Sequence, residues 1–207
     1  MTQQPLVNGA GKRERTKQAN RTAILDAARD VFAELGYGAA TVRDIVRRTD
    51  LATGTFYNYF PDKASVLHAL LDQVAGEARV RVRAARREGG TLEAFVHEGF
   101  LAYFTYLLED RPTFELLRRN AGTIRAMFDE PSVIAGVEEL AEDLRDGIAA
   151  GLVPPHDADA MATTMVGAAT ELGVTLLDAS EPDAGRAAAF LTTVFVAGLR
   201  ALGAQNP

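Results

Sequence analysis

Apolar residues in this chain recur with the period of a helix in every segment long enough to test, and no segment alternates with the period of a strand. Ile24, Ala27, Ala28, Val31, Phe32 and Leu35 stand at i, i+3, i+4, i+7, i+8 and i+11, which is one buried helical face, and Gly36 behind them supplies a left-handed stop. Thr41 caps a short second helix with Val42, Ile45 and Val46 turned inward. Asp50 accepts the left-handed backbone of the turn that follows, and Leu51 plugs the corner. A third short helix runs from Thr53 to Phe60 and stops at Pro61, whose ring disfavours helical geometry in the residue before it. Asp62 caps a longer helix carrying Val66, Leu67, Leu70, Leu71 and Val74, which continues through Arg79-Val80-Arg81-Val82-Arg83 toward Gly89-Gly90. Further helices are expected at about 92–108, 112–120, 132–149, 157–179 and 183–202, with Glu130-Pro131 and Val153-Pro154-Pro155 among the turns between them. The fold class is therefore all-α, with about nine helices and no internal repeat.

Charge divides the chain. Residues 1–65 hold ten Lys and Arg against seven acids, net +3, whereas the remainder holds twelve against twenty-one, net −9. A basic end on an acidic chain points to a nucleic-acid or membrane contact there, with a merely solvated basic surface as the plain alternative. No stretch approaches the roughly 18 to 20 apolar residues of a membrane span, so no membrane partner is expected. The sequence has no cysteine, which removes disulfides, thiolate metal sites and cysteine nucleophiles and fits a reducing cytoplasm.

Two short helices joined by a tight turn, braced by a longer one, make a helix-turn-helix, whose second helix can enter the major groove of DNA. Thr53-Gly54-Thr55-Phe56-Tyr57-Asn58-Tyr59-Phe60 has the chemistry for that. Gly54 allows close backbone approach, Thr53 and Thr55 offer hydroxyls, Tyr57, Asn58 and Tyr59 offer hydrogen-bonding tips, and Phe56 and Phe60 pack inward. Gly36-Tyr37, then Thr41-Val42-Arg43-Asp44-Ile45, then Gly54 through Lys63, closed by Leu67, resemble in one register the DNA-binding domain of the TetR family, over about residues 18–75.

That resemblance implies three parts: a flexible basic arm over 1–17, a helix-turn-helix domain over 18–78 and a helical effector-binding and dimerisation domain over 79–207. It places Thr41, Arg43, Thr53, Gly54, Thr55, Tyr57, Asn58 and Tyr59 at DNA-facing positions and matches Lys63 to a phosphate-contacting lysine. Tyr57, Tyr59 and Lys63 are assigned to positioning, and Arg43, Thr53, Thr55 and Asn58 to base readout. The sequence departs from the family pattern twice. Asp50 stands for the usual turn glycine, and Ala52 for the usual serine cap of the recognition helix, a loss worth ~1 kcal/mol unless Thr53 takes over. The arm Lys12-Arg13-Glu14-Arg15-Thr16-Lys17 is read either as a minor-groove contact or as a solvated tail.

Beyond residue 75 the large apolar residues Phe95, Phe100, Tyr103, Phe104, Tyr106, Phe114, Met127, Phe128, Met161 and Met165 serve a core or a cavity equally well. In the family context Phe95, Phe100, Tyr103, Phe104, Phe114, Phe128 and Met165 are expected to line an effector cavity, with Arg118 or Arg119 meeting a phosphate or carboxylate. Phe114 to Gly122 and Gly167 to Leu172 resemble the fatty-acid-biosynthesis repressors of the family, which implies a long-chain acyl thioester among the small apolar effectors that fit. Drugs and polyketide-like metabolites fit the same lining. Ala160, Ala162, Gly167, Ala168, Ala169 and Gly173, then Ala187, Ala188, Ala189, Ala197 and Gly198, with Leu191, Val194, Phe195 and Leu199, suit a homodimer made through the last two helices, tight packing within one chain being the alternative.

The function expected is a cytoplasmic, nucleoid-associated bacterial repressor that binds a palindromic operator in double-stranded DNA and is released by its effector. An enzyme and a helical adaptor without DNA binding are the alternatives. His68, His97 and His156 lie far apart, and neither a metalloprotease helix motif, a nucleophile elbow nor a phosphate loop occurs, so no catalytic residue, metal or cofactor is expected. His97 and Glu98 with Glu171 come nearest to a metal set, and an ordinary helix-face histidine is the simpler reading.

Overall fold

The computed structural model describes residues 8–125 and 131–204. Among them are nine helices and no strand: α1 (Asn8–Leu35), α2 (Val42–Val46), α3 (Thr53–Tyr57), α4 (Lys63–Glu88), α5 (Leu92–Glu109), α6 (Arg111–Arg125), α7 (Pro131–Ala149), α8 (Ala158–Leu177) and α9 (Ala184–Gly203). The all-α expectation holds.

Helix α1 starts far earlier than the apolar stripe. The arm expected to be flexible is helical from Asn8 onward, because its Lys, Arg, Glu and Gln are good helix formers and two side chains bond back one turn. Arg15 Nε donates to Gly11 O at 3.1 Å and Thr16 Oγ1 to Lys12 O at 3.0 Å. At its other end, Gly36 takes φ +75° and its N–H closes on Phe32 O at 3.1 Å, the stop read from the sequence.

The turn between α2 and α3 is built differently from the expectation. Among the described residues only Gly36 and Gly151 have positive φ, so Asp50 is not left-handed. Thr49 closes the turn instead: its hydroxyl donates to Val46 O at 2.9 Å and accepts the Leu51 N–H at 3.2 Å. Helix α3 ends at Tyr57 rather than Phe60, and the last residues before Pro61 form a turn folded back on the Phe56 carbonyl. Phe32, Ile45, Phe56, Val66 and Leu67 are fully buried where α1 to α4 meet.

Helix α4 runs unbroken through residue 78, where a domain boundary was expected, and carries the packing of the N-terminal helices into that of α5 and α7. A second connection crosses from α6 to α1. Asn120 is buried, its Nδ2 donates to Leu116 O at 2.7 Å and Phe32 O at 3.2 Å, and its Oδ1 accepts the Tyr37 N–H at 2.7 Å.

Helix α9 lies along α5, with Phe195 5.6 Å from Phe100 between ring centroids. Leu191, Phe195 and Leu199, expected to face a second subunit, are buried within the chain because this is the stripe that meets α5. The outward face of α9 carries Phe190, 61% exposed, and Val194, 50% exposed. Helices α8 and α9, each with a mean hydropathy of 1.3, are long and apolar enough to cross a membrane by length and composition, which corrects the expectation that no stretch comes near. Alanine, with valine, leucine, methionine and phenylalanine scattered between, supplies the hydropathy of these helices without a long run of large apolar residues.

Replacing Asn120 by alanine removes the acceptor of the half-buried Tyr37 N–H, which is expected to cost about 1 kcal/mol. Urea unfolding would read this as a lowered midpoint, and an unchanged midpoint would contradict the role given to that amide.

Candidate nucleic-acid interface and cavity

Helices α2 and α3 place most of the candidate contact residues in solvent. Thr41, Arg43, Thr53, Gly54, Tyr57 and Asn58 are exposed, Thr55 and Tyr59 are half-buried, and Phe56 and Phe60 lie inside. Thr41 is occupied by capping α2. Its hydroxyl accepts the Asp44 N–H at 3.2 Å and donates to Asp44 Oδ2 at 2.5 Å, and its own N–H donates to the same oxygen at 3.0 Å. The Thr41 hydroxyl, then its N–H, hold the Asp44 carboxyl below its ordinary value. This cap is therefore complete above the usual carboxylate range and is lost as the pH falls through the lowered value.

Helix α3 starts without such a cap. Ala52 sits at its N-cap position and no side chain bonds the first turn, so Thr53 does not take over the missing serine's role. Basic groups flank the pair. Arg43 and Arg47 are exposed, Arg48 is paired with Glu34 through both guanidinium nitrogens, and Arg21 lies 5.5 Å from the centre of the Phe60 ring. Asn20 donates to the Tyr59 hydroxyl at 3.1 Å, and Lys12, Arg13, Thr16 and Lys17 of α1 line a surface groove with Tyr59. The helical arm and the recognition helix thus share one basic surface.

Lys63 is placed otherwise than the sequence implied. Its ammonium donates to Tyr37 O at 2.7 Å, Ala40 O at 2.8 Å and Gly38 O at 3.4 Å, and sits 4.5 Å from the Tyr37 ring centre. Three donors meet three carbonyls, so the side chain clasps the turn before α2 instead of pointing at a phosphate. Tyr37 is then held from both sides, its carbonyl by Lys63 and its N–H by Asn120.

Helices α4 to α8 enclose a cavity of about 220 Å³. Phe95, Phe100, Tyr103 and Met165 line it as expected. Three expected lining residues do not. Phe104 is fully buried in the core beneath Phe100 and Tyr103, Phe114 lies outside the lining on α6, and Arg118 pairs with Glu115 at 2.8 Å one turn away on the same helix. Phe128 and Met127 lie outside the described residues. The lining also includes Arg79, Val82 and Arg86 of α4 and Thr170 of α8, which the sequence reading did not pick out. Their signal was present, since 79, 82 and 86 share one helical face. Burial, opposed by a hydrogen bond with Thr170, pushes the Tyr103 hydroxyl up to about 12, so at neutral pH it is an uncharged phenol among apolar neighbours.

Residues 24–70, which hold the apolar face of α1, the two short helices and the start of α4, match the model of the bacterial regulatory proteins of the tetR family. Over that segment the chain is similar to the TetR family. The repressor KstR2 of Rhodococcus jostii is 36% identical over 106 residues, 49% of this chain and 50% of that protein. The regulator UidR of Escherichia coli is 35% identical over 66 residues, 32% of this chain and 34% of its own length. The chain thus matches half or less of the length of these curated relatives. Among solved structures, the fatty-acid-degradation regulator FadR of Bacillus halodurans superposes with a TM-score of 0.71 at 23% identity, covering 87% of this chain and 96% of that one. FadR of Bacillus subtilis, solved with stearoyl-CoA, gives 0.71 at 23% identity, covering 86% and 98%. These two likenesses show that the TetR fold extends past the matched segment over the later helices.

Restoring a cap by Ala52→Ser is expected to raise stability by ~1 kcal/mol. Chemical denaturation measures it, and no gain would mean that the start of α3 is already satisfied.

Proposed function

We propose that the protein is a cytoplasmic, dimeric, DNA-binding transcriptional regulator, a repressor that leaves a palindromic operator when a small apolar effector fills the cavity between α4 and α8. One observation carries this reading: inside the segment matching the TetR family, α2 and α3 expose their polar residues, and Tyr59 in the turn just after α3 shares a basic groove with the first turns of α1. A short helix presenting hydroxyl, amide and phenol tips reads base edges while neighbouring cations hold the phosphates. Arg43, Thr53, Thr55 and Asn58 take base readout; Gly54 allows close approach; Tyr57 and Tyr59 position the helix. Thr41 and Lys63 act indirectly, by fixing the start of α2. The curated relatives are regulators of transcription, which favours this reading over catalysis.

Two half-sites about one turn of DNA apart require two copies of the chain. The outward apolar face of α9, with Phe190 and Val194, favours a second copy packed through α8 and α9, which also accounts for apolar helices that the chain itself covers only in part. The geometry supports one coupling route. Leu117 and Ile124 of α6 line the cavity and Asn120 of the same helix holds Tyr37, so a ligand that displaces α6 moves the turn that carries α2.

The stearoyl-CoA in the B. subtilis neighbour favours an acyl-type effector, and the cavity, which is open on one side, bounds only the part of the ligand held inside it. A cavity of about 150 Å³ accommodates the six carbons of benzene, so one of about 220 Å³ takes an apolar part of roughly nine heavy atoms. That is half of a long acyl chain.

Fluorescence anisotropy against DNA flanking the protein's own gene, and against scrambled DNA, at several salt concentrations, tests the regulator reading. Selective, salt-sensitive binding by a dimer is expected, and equal or absent binding to both DNAs by folded dimer would overturn it. Asn58→Ala should cost about 1–3 kcal/mol on the cognate site alone. Replacing Lys12, Arg13 and Lys17 together by alanine should weaken both DNAs alike and flatten the salt dependence by about 0.9 for each phosphate no longer neutralised.

A further inference from the structure

We infer that the cavity recognises an anionic amphiphile, with the acid group of the ligand held by Arg79, which lines the wall between α4 and α7, and reached by Arg83 one turn along α4, which is not itself among the lining residues. This rests on the effector-cavity reading above and adds the chemistry of the ligand. Arg79, Arg83 and Arg86 stand at i, i+4 and i+7, one face of α4, with Arg87 beside them. Across from them α7 offers two carboxylates, Glu139 and Asp143. Arg86 takes Asp143 in a buried pair at 2.7 Å with Arg87 at 3.7 Å, and Arg83 takes Glu139 at 3.0 Å. Arg79, which lines the cavity, has the nearest carboxylate oxygen of Glu139 at 3.9 Å, beyond hydrogen-bonding distance. Four guanidiniums therefore share two carboxylates in a part of the chain whose net charge is −9.

A buried donor left without a partner marks where an anion can bond, although the charges themselves are partly solvated, the Arg79 and Arg83 side chains being 32% and 33% exposed. Arg83 Nε is such a donor: it is buried and has no hydrogen-bond partner among the described residues. The remainder of the lining is almost wholly apolar, with the neutral Tyr103 at the α5 and α8 side, so the ligand pairs one acidic head with an apolar body of roughly nine heavy atoms. Guanidinium forks fit carboxylate and phosphate equally, and both count as the acid group.

Isothermal titration of the full-length protein with octanoate, octyl phosphate, octan-1-ol and octylamine, which share one tail, tests this. The acids should bind at least about tenfold more tightly than the alcohol, the step that one charge-assisted hydrogen bond supplies, and the amine should not bind. The tighter of octanoate and octyl phosphate identifies the acid group. Arg79→Gln should bring octanoate and octan-1-ol within about threefold of each other, and Glu139→Gln, which frees Arg83, should tighten octanoate. Circular dichroism checks that each variant is folded, and the comparison among the four probes on the unaltered protein stands without any variant. Equal binding of acid and alcohol, tight binding of the amine, or no binding of any probe would overturn the inference. Acid-selective binding that leaves operator affinity unchanged would support the anion site while removing the effector reading.

Discussion

The amide of Asn120 is the interaction on which the arrangement depends. It is buried in α6, 83 residues from the turn it holds, and its hydrogen bonds join the last turn of α1, the start of the next turn and its own helix. Buried amides are tolerated when satisfied and costly when not, so such a group fixes one relative placement of the helices it joins. Lys63 completes the hold from α4, with three carbonyls of the same turn in reach. The orientation of α2 and α3 toward DNA is thus set by contacts from two helices that also line the cavity, and neither hold involves a residue that touches DNA in the proposed reading.

The cavity has the opposite character. Its lining is apolar apart from Tyr103, Tyr106 and Thr170 and carries its charge along α4, where Arg86, which could not be buried alone, is paired with Asp143 of α7. Room for this was made on α5: a Cβ at Gly99 would lie 2.9 Å from the Arg86 Cγ, so glycine there lets the buried pair form. Arg86 meets Asp143 at 2.7 Å, whereas Arg79 stands 3.9 Å from Glu139. The two ends of one helical stripe therefore differ in what they can do for a ligand.

Local chemistry made most of the helices legible. The stripe from Ile24 to Phe32, the stop at Gly36 and the cap at Thr41 depend on neighbours a few residues away, and the structure has them, whereas Leu35, read into the same stripe, is 46% exposed at the end of the helix. What the sequence hid was tertiary. Periodicity marks Phe100 and Phe104 equally as apolar, one turn apart, and only the packing of neighbouring helices puts one ring on the cavity and the other beneath it. The arginine run after residue 79 was visible as a basic stretch, yet the carboxylates that give it meaning lie 56 or more residues further on, at Glu139 and Asp143. Lys63 was legible as a position in a family pattern, but its bonds to the turn at Tyr37 depend on how α1 and α4 cross. Asp50 misled because a threonine beside it closes the turn at ordinary backbone angles.

In the proposed reading, the cavity and the DNA-reading helices are coupled through Asn120. The most direct test needs no effector: Ala169→Met places a side chain in the cavity, and operator affinity is measured by anisotropy for this variant with Asn120 intact and with Asn120→Ala. Filling the cavity should weaken operator binding about tenfold when Asn120 is present and less than about twofold when it is absent. The same loss in both backgrounds would contradict that coupling.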